Sequence, residues 1–189
     1  MTIYFVRHTE YYNPSHIYAF HLPMYLTEEG RKHAERIGEW FQQHANGLPI
    51  TSSPMIRTVQ TAEIIASKTH SFVRIDHRLE ETGCPRLEGT KQPEIEPWKY
   101  EVDDSTRETK EQVLKRVKEI YDEKIAEGKD CIMVSHGDAI TFLYDYLIQR
   151  KQPLYIWDPT LGNYPIQRGE IVKIQIQNDK HAVVERIAI

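Results

Sequence analysis

Two histidines directly follow short apolar segments in distant parts of the chain. The first segment, residues 3–6, ends at Arg7 and His8, and the second, residues 131–135, ends at His136. Both segments have the β-branched and apolar composition of strands that are buried on both faces. Because functional groups collect at the carboxyl ends of the strands in an open α/β sheet, we expect both histidines to face the same crevice.

Further ionisable residues follow two other predicted strands. Residues 49–53 predict a short strand, and Arg57 falls in the first turn of the helix that comes after it. Such a junction favours an anion, because free backbone amides and the positive end of the helix dipole point towards it. A strand predicted at residues 72–75 leads to two adjacent carboxylates, Glu80 and Glu81.

Three kinds of site fit these residues. Histidine is a common metal ligand, but the chain has no HxH, HExxH or CxxC element, and two arginines would repel a divalent cation, so we expect no metal and no cofactor. In a phosphoryl-transfer site, Arg7 and Arg57 would hold a phosphomonoester through paired hydrogen bonds. A neutral imidazole would attack phosphorus, and a glutamate with a raised pKa would protonate the leaving oxygen. A phosphate-binding module without catalysis would use the same side chains.

The order of the predicted elements describes a three-layer α/β/α sandwich. It runs strand, helix, strand, helix, strand, long loop, helix, strand, helix and hairpin. We expect a mostly parallel central sheet with an antiparallel C-terminal edge, formed by residues 170–177 and 181–189 around a turn at 178–180. One domain is expected over residues 1–189, because this length is within the usual range of a single domain.

Capping residues and prolines predict where the helices begin and where they are interrupted. Thr27 is followed by two glutamates, as is typical of the first turn of a helix. Residues 105–108 match the capping-box pattern and predict a second helix start. Three prolines between residues 82 and 104 exclude a continuous helix there, so we expect a long loop after Glu81.

The composition is that of a soluble globular protein, with 40% hydrophobic and 28% charged residues. No apolar run approaches the roughly 20 residues that cross a bilayer, and no signal peptide fits before the first strand, so we expect a cytoplasmic protein without a membrane partner. A net charge of -4 argues against binding nucleic acid through its phosphate backbone. The C-terminal hairpin offers a sheet edge that could pair with a second copy, which would give a homodimer.

The motifs that carry these residues resemble those of the histidine phosphatase superfamily, the group that includes cofactor-dependent phosphoglycerate mutase and many phosphatases. They are VRH, LTEEG, SSPMIRTVQTA, RLEE, LEG and MVSHGD, and they occur in the family's order over nearly the whole chain. The resemblance implies a phosphoglycerate mutase-like fold and a metal-independent phosphomonoesterase. Such an enzyme would act on small phosphorylated metabolites through a phosphohistidine intermediate.

The resemblance also implies a role for each candidate residue. His8 matches the nucleophile that becomes phosphohistidine, and Arg7 and Arg57 match the arginines that bind the phosphoryl group. His136 matches the second histidine, which hydrogen-bonds the phosphoryl oxygens. Glu81 matches the proton donor in the pattern Leu-x-Glu, which favours it over its neighbour Glu80.

Three positions match the family less directly. Gly137 would place its amide near the phosphoryl group, and Asn13 would match the family's asparagine near the phosphate, although its distance from His8 differs from the usual one. Thr9 stands where the family usually has glycine, so we expect either a tighter pocket or a threonine hydroxyl that touches phosphate. The chain is shorter than the mutases, whose insertions after the proton donor surround a bisphosphate, so a phosphatase is favoured over a phosphoglycerate mutase.

Overall fold

A computed structural model describes residues 1–177 and 180–189 of the chain. The strands are β1 (Thr2–Arg7), β2 (Ile50–Ser52), β3 (Val73–Ile75), β4 (Cys131–Ser135), β5 (Ile171–Gln177) and β6 (Lys180–Ile187). The α-helices are α1 (Glu28–His44), α2 (Ile56–Thr69), α3 (Pro97–Val102), α4 (Lys110–Glu127) and α5 (Gly137–Leu147). Single 3₁₀ turns cover His77–Leu79 and Pro159–Leu161. Within the described ranges, no helix has both the length and the apolar composition that a membrane span requires.

The six strands form one sheet in the order β3-β2-β4-β1-β5-β6. The pairs β2–β3, β2–β4 and β1–β4 are parallel, whereas β1–β5 and β5–β6 are antiparallel. This topology confirms the predicted mostly parallel sheet with an antiparallel C-terminal edge. The turn predicted at 178–180 lies largely outside the described residues, since positions 178 and 179 are not among them.

The central strand β1 buries side chains on both faces of the sheet. Ile3 and Phe5 pack with apolar residues of α4 and α5, whereas Tyr4 and Val6 pack with those of α1 and α2. All four side chains are at most 6% exposed. Each fully buried side chain of this size contributes about 1.5–3 kcal/mol to folding. The two apolar faces therefore hold helices on both sides of the sheet and fix the position of the residue that follows the strand.

Helix α1 begins at the predicted cap, and α4 does not. The Thr27 hydroxyl accepts a hydrogen bond from the Gly30 amide at 2.9 Å, as an N-cap does. For α4, however, the capping box consists of Thr109 and Gln112, so the box predicted at residues 105–108 was wrong. Its glutamate, Glu108, instead forms two 2.8 Å hydrogen bonds with a guanidinium on α4. That stronger, charge-assisted partner removes the residue from a capping role.

The two irregular segments, 11–25 and 82–104, pack against each other above the strand ends. The Glu88 carboxylate accepts hydrogen bonds from the amides of Phe20 and His21 at 3.0 and 2.9 Å. The Tyr18 hydroxyl donates to the Pro97 carbonyl at 2.6 Å. The long loop predicted after Glu81 contains one short helix, α3, that the sequence did not indicate. Pro97 can open that helix because the first helical position needs no amide donor.

Candidate active site

The predicted site residues meet in a cavity at the carboxyl ends of β1 and β4. This active-site cavity has a volume of about 230 Å³, and Arg7, His8, Arg57 and Glu81 contribute to its wall. His136 lies beside it, with its ring centroid 5.2 Å from that of His8. Strand register explains the meeting, because the parallel β1–β4 pair places the end of one strand level with the end of the other. The rest of the wall comes from Tyr11, Tyr18, Ala19, Phe20, Gln92, Glu101, Asp138, Trp157 and Arg168.

His8 is a neutral imidazole with a defined tautomer. Its Nδ1 lies 2.8 Å from the carbonyl oxygen of Thr9, and a carbonyl can only accept, so this hydrogen bond assigns the proton to Nδ1. The other nitrogen, Nε2, therefore keeps its lone pair. Burial, and then the charges of Arg57 and Arg7, hold the pKa of His8 well below its usual range. The ring can act as a nucleophile at neutral pH without first losing a proton.

His136 has the opposite tautomer. Its Nδ1 lies 3.2 Å from a guanidinium nitrogen of Arg57, which can only donate, and its Nε2 lies 2.8 Å from the Ser53 hydroxyl. The proton therefore sits on Nε2. Burial first, and then Arg57 and His8, lower the pKa of His136 well below its usual range. A phosphoryl dianion next to the ring would act in the other direction, favouring a second proton that Nδ1 could donate to a phosphoryl oxygen.

The two arginines are buried and each retains an unused donor. Arg7 donates to the Ile166 carbonyl at 2.8 Å, and Arg57 donates to the Phe20 carbonyl at 2.6 Å. The Nε of each arginine is buried without a hydrogen-bond partner among the described residues. Burial lowers the pKa of Arg57, and it lowers that of Arg7 to about 10, so both remain cationic at neutral pH. An anion with several acceptor oxygens would compensate both the charge and the unused donors.

Glu81 and Glu80 have different surroundings. Burial, and then the nearby Asp138 carboxylate, raise the pKa of Glu81, while Arg57 opposes the shift. The carboxyl accepts from the Thr82 amide at 3.0 Å and lines the active-site cavity, where its raised pKa favours a form that can donate a proton. Glu80 lies 2.5 Å from His77 Nδ1 and does not line this cavity. The structure thus brings to the cavity the carboxyl that the sequence favoured.

Asp138 connects the Glu81 side of the cavity to its opposite wall. Its carboxylate accepts from the Thr82 hydroxyl at 2.7 Å, from Arg107 at 2.6 Å and from Trp157 Nε1 at 2.6 Å. Three donors compensate the charge of a carboxylate that is only 4% exposed. This charge is one cause of the raised pKa of Glu81. Asp138 lies within the MVSHGD motif, but no local pattern indicates its role, because its partners come from three other segments.

Gly137, at the first position of α5, is held by close packing. A Cβ at this position would lie 2.5 Å from the Trp157 ring and 3.1 Å from the Arg7 guanidinium carbon. That guanidinium carbon in turn lies over the Trp157 ring, 4.7 Å from the ring centroid. Only glycine leaves room for this stack. Contact between the Gly137 amide and a phosphoryl group stays a prediction.

Asn13 lines a cavity that shares Tyr11, Gln92 and Arg168 with the active-site cavity, and its position near the phosphate stays a prediction. Its side-chain amide donates to the Ile17 carbonyl at 2.9 Å and accepts from the Ile17 amide at 3.2 Å. These two bonds fix it in a local turn, and the residue lines a neighbouring cavity instead of the active-site cavity. An Asn-Pro sequence is typical of a turn, and this was the signal that argued for a local role.

Thr9 is turned away from the active-site cavity. Its hydroxyl lies 3.4 Å from the Thr61 hydroxyl on α2, and its amide donates to the same oxygen at 3.3 Å. The residue is fully buried and is not part of the cavity wall. Because the hydroxyl is not part of the cavity wall, the expected contact between Thr9 and phosphate does not fit this structure. Thr9 instead links the end of β1 to α2.

Thr9→Gly is expected to weaken the fold and to leave catalysis nearly unchanged. The change removes a buried methyl group and the hydrogen bond of the Thr9 hydroxyl, and it adds backbone freedom, which together lower the free energy of unfolding by about 1–3 kcal/mol. Urea unfolding measures this loss, and steady-state kinetics should show KM within about twofold of the parent protein. Thr9→Ser, which keeps the hydroxyl, is the matched control. A large rise in KM without loss of stability would instead place the hydroxyl on the substrate.

Arg116 on α4 positions the Glu81 segment, and sequence analysis missed it. Its guanidinium donates to the carbonyls of Arg78, Glu80 and Glu81 at 3.0, 2.7 and 3.1 Å. Glu108 holds the same guanidinium through two hydrogen bonds of 2.8 Å. An arginine on an amphipathic helix gives no sequence signal for contacts with three distant carbonyls.

Arg116→Met is expected to lower kcat by about tenfold for phosphomonoesters of poorly acidic alcohols, because the proton donor is displaced from the leaving oxygen. The loss should be much smaller for nitrophenyl phosphate, whose leaving group needs little protonation. Rates on the two substrates therefore separate displacement of Glu81 from general unfolding. Lys115→Met, at the exposed neighbouring position, is the control. An equal loss on both substrates would contradict the positioning role.

Arg168 completes the cationic side of the cavity beside Tyr11, and its place there was not predicted from the sequence. The Arg168 guanidinium lies 4.7 Å from the centre of the Tyr11 ring, and that of Arg57 lies 5.3 Å from it. Arg168 precedes β5, and the Gly169 amide donates to the Arg7 carbonyl at 3.1 Å. The pairing of β5 beside β1 thus brings a third arginine to the site. Sequence order alone does not show which strand neighbours β1.

Comparison with known proteins places this fold and site in a family. The sequence model of the histidine phosphatase superfamily (branch 1) matches residues 3–187. Probable phosphoglycerate mutase GpmB of Erwinia tasmaniensis is 29% identical over 165 residues, which cover 78% of this chain and 75% of that protein. The chain belongs to the histidine phosphatase superfamily, as the order of its motifs predicted.

Solved structures agree with this fold. YhfR of Bacillus stearothermophilus superposes with a TM-score of 0.80 at 24% identity, covering 96% of this chain and 94% of that one. A mycobacterial glucosyl-3-phosphoglycerate phosphatase complexed with VO3 gives 0.77 at 22% identity, covering 97% and 96%. A putative alpha-ribazole-5'-P phosphatase of Escherichia coli gives 0.76 at 20% identity, covering 98% and 94%. At these identities the likeness concerns the fold.

Proposed function

We propose that this protein is a metal-independent phosphomonoesterase that transfers the phosphoryl group of a small substrate to His8 and then to water. The observation that carries the proposal is the hydrogen bond between His8 Nδ1 and the Thr9 carbonyl. It leaves a lone pair on Nε2 of a neutral imidazole, in a cavity whose wall includes two buried arginines. Family membership supports the same chemistry.

In the first step, His8 Nε2 attacks phosphorus and the bond from phosphorus to the leaving oxygen breaks. Glu81 gives its proton to that oxygen, so the product leaves as an alcohol. Arg7 and Arg57 offset charge on the three equatorial oxygens. Throughout this step, His8 Nδ1 keeps its proton and donates it in a hydrogen bond to the Thr9 carbonyl, which holds the ring in its orientation.

In the second step, water attacks the phosphohistidine and the bond from phosphorus to Nε2 breaks. Glu81, now a carboxylate, takes a proton from the water, which restores its protonated form and releases phosphate. A proton on His136 Nδ1 would stabilise the phosphoryl oxygens in both steps. Each group thus returns to its starting state after one turnover.

The pH profile of kcat/KM is expected to be bell-shaped, because this quantity reports the free enzyme's acid and base. The acid limb comes from His8, whose lowered pKa keeps it neutral until well below its usual range. The alkaline limb comes from Glu81, whose raised pKa keeps it protonated above its usual range. Rates from pH 4 to 10 with phenyl phosphate measure the profile, after correction for the substrate's own ionisation near pH 6. Loss of the alkaline limb in Glu81→Gln supports the assignment, and an unchanged limb contradicts it.

Metal independence is part of the proposal. In residues 1–177 and 180–189, no three His, Cys, Asp or Glu side chains form a group that could hold a metal ion. Because the two steps proposed above use only side chains of this chain and water, release of phosphate from phenyl phosphate should persist in EDTA and should not increase with Zn²⁺ or Mg²⁺. Activity lost in EDTA and restored by zinc would contradict this part of the proposal. Phosphate-dependent thermal stabilisation without turnover of any phosphomonoester would favour a binding module instead.

Phosphoryl transfer of the phosphoglycerate mutase type is the second candidate, because one relative is described as a probable phosphoglycerate mutase. The two activities differ in their product from 3-phosphoglycerate. A phosphatase yields glycerate and inorganic phosphate, whereas a mutase yields 2-phosphoglycerate. Phosphorus NMR of the reaction mixture distinguishes them, and we expect only inorganic phosphate to accumulate from any substrate that turns over.

A further inference from the structure

A second cavity, of about 480 Å³, adjoins the active-site cavity. Glu101 on α3 and Trp157 in the connection before β5 line both cavities and so form the boundary between them. The remaining wall comes from α3, residues 104–109, the start of α4, α5 and residues 152–157. The mechanism proposed above uses none of this space.

Volume limits what the active-site cavity can hold. At about 230 Å³ it is smaller than the clefts of about 300–1,000 Å³ that typically enclose organic ligands, and its wall is mostly charged and polar. The phosphoryl group is the part of a substrate that suits it. A larger alcohol portion would have to extend beyond it, and the second cavity is an adjoining space of suitable size.

The second cavity has an apolar and aromatic part beside polar and charged side chains, which include Arg107, Glu108 and Lys110. Its wall includes Trp98, Val102, Phe142, Leu154 and Ile156. Leu154 is 69% exposed, so its side chain lies at the rim of this cavity. Flat rings gain most from such a surface, because they stack on indole faces and bury apolar area together.

Trp157 is held firmly at the boundary between the two cavities. Its Nε1 donates to Asp138 at 2.6 Å, and the Arg7 guanidinium lies 4.7 Å from its ring centroid. The orientation of the indole is therefore fixed relative to an arginine of the phosphate site. A ring that stacks on it would be held at a defined distance from the phosphoryl group.

Glu101 supplies a polar group at the same boundary. Burial, and then the charge of Asp138, raise its pKa to about 8, although Arg107 acts in the other direction. At pH 7 the carboxyl is largely protonated and can both donate and accept a hydrogen bond. It suits the polar edge of an uncharged ring system.

We infer that the second cavity binds the alcohol portion of the substrate and that the protein acts on phosphomonoesters of a flat ring system larger than one six-membered ring. The inference rests on the proposed function, because it takes the active-site cavity as the phosphoryl site. It adds a substrate class, which the chemistry at His8 does not define.

Calorimetric binding in the His8→Ala background tests the inference without turnover. Phenyl phosphate and 2-naphthyl phosphate share the phosphoryl group and the aryl oxygen and differ by one fused ring. The naphthyl compound is expected to have a Kd about tenfold lower, since the second ring buries apolar surface. Adding Val102→Trp, which fills the cavity, should remove that difference and leave the Kd of phenyl phosphate within about twofold. Tyr100→Trp, on the same helix but outside the cavity wall, is the matched control.

Leu154→Trp fills the cavity from its exposed rim. If Val102→Trp does not fold, the same two Kd values are measured in the Leu154→Trp variant instead. Equal Kd values for the two aryl phosphates would overturn the inference. A Kd for 2-naphthyl phosphate that stays about tenfold lower in both Val102→Trp and Leu154→Trp would overturn it as well. Absence of binding by both compounds would overturn it as well. Failure of the parent protein to release phosphate from either compound would contradict the proposed function. The two Kd values would still show whether the second cavity binds the aryl group.

Discussion

His8→Ala is expected to lower kcat for phosphomonoesters by a factor of about 10⁴ or more, because no other group in the cavity can take the phosphoryl group in its place. His136 is not an equivalent nucleophile, since its Nδ1 accepts from Arg57 and its Nε2 carries the proton that faces Ser53. Initial rates of phosphate release from phenyl and nitrophenyl phosphate measure the loss. Both substrates should be affected alike, because each requires the same attack on phosphorus.

The control for this variant is a histidine outside the site. His44 at the end of α1 is exposed and bonds to the Trp40 carbonyl, so His44→Ala should keep the parent rate. The His8→Ala protein should still bind inorganic phosphate, since both arginines remain. A variant that retains a tenth or more of the parent kcat would show that water attacks the substrate directly or that another side chain accepts the phosphoryl group.

Glu81→Gln is expected to have an effect that depends on the leaving group. For a phosphomonoester of an ordinary alcohol, loss of the proton donor should lower kcat by about 10²–10⁴. For nitrophenyl phosphate the loss should stay below about tenfold in the transfer step, because that leaving oxygen departs readily as an anion. Single-turnover rates across a series of aryl and alkyl phosphates give the dependence on leaving-group acidity, which should be steeper in the variant.

Glu80→Gln is the matched control, because the neighbouring carboxylate pairs with His77 and lies outside the cavity wall. It should leave both the rates and their dependence on the leaving group unchanged. Equal losses across the series in Glu81→Gln would remove Glu81 from the proton-donor role. A strong effect of Glu80→Gln with a weak effect of Glu81→Gln would reverse the assignment.

The cluster at the strand ends could be predicted from the sequence because it depends on local features. Buried strands can be recognised by their apolar, β-branched composition, and parallel strands bring their carboxyl ends to one edge of the sheet. The positions of Arg7, His8 and His136 follow from these two rules. Arg57 follows from the strand-to-helix junction before it, and family resemblance separated Glu81 from Glu80.

The residues that sequence analysis missed depend on contacts between distant segments. Arg168 reaches the site only because β5 pairs with β1, and Arg116 reaches the Glu81 segment only because α4 packs beside it. Asn13 differs from both, since its side-chain amide bonds locally to Ile17 four positions later. The predicted capping box failed because Glu108 met a guanidinium from α4, which is a stronger partner than a backbone amide. Sequence patterns describe such local options, and tertiary packing selects among them.

Covalent trapping of the phosphoryl group tests the central claim most directly. Parent protein mixed with a ³²P-labelled phosphomonoester and quenched in base during turnover should carry label that survives base and is lost in acid, as expected for phosphohistidine. Peptide mapping should locate the label at His8, and His8→Ala should carry none. Absence of label in a parent protein that turns over the substrate, or label that persists in His8→Ala, would contradict the account.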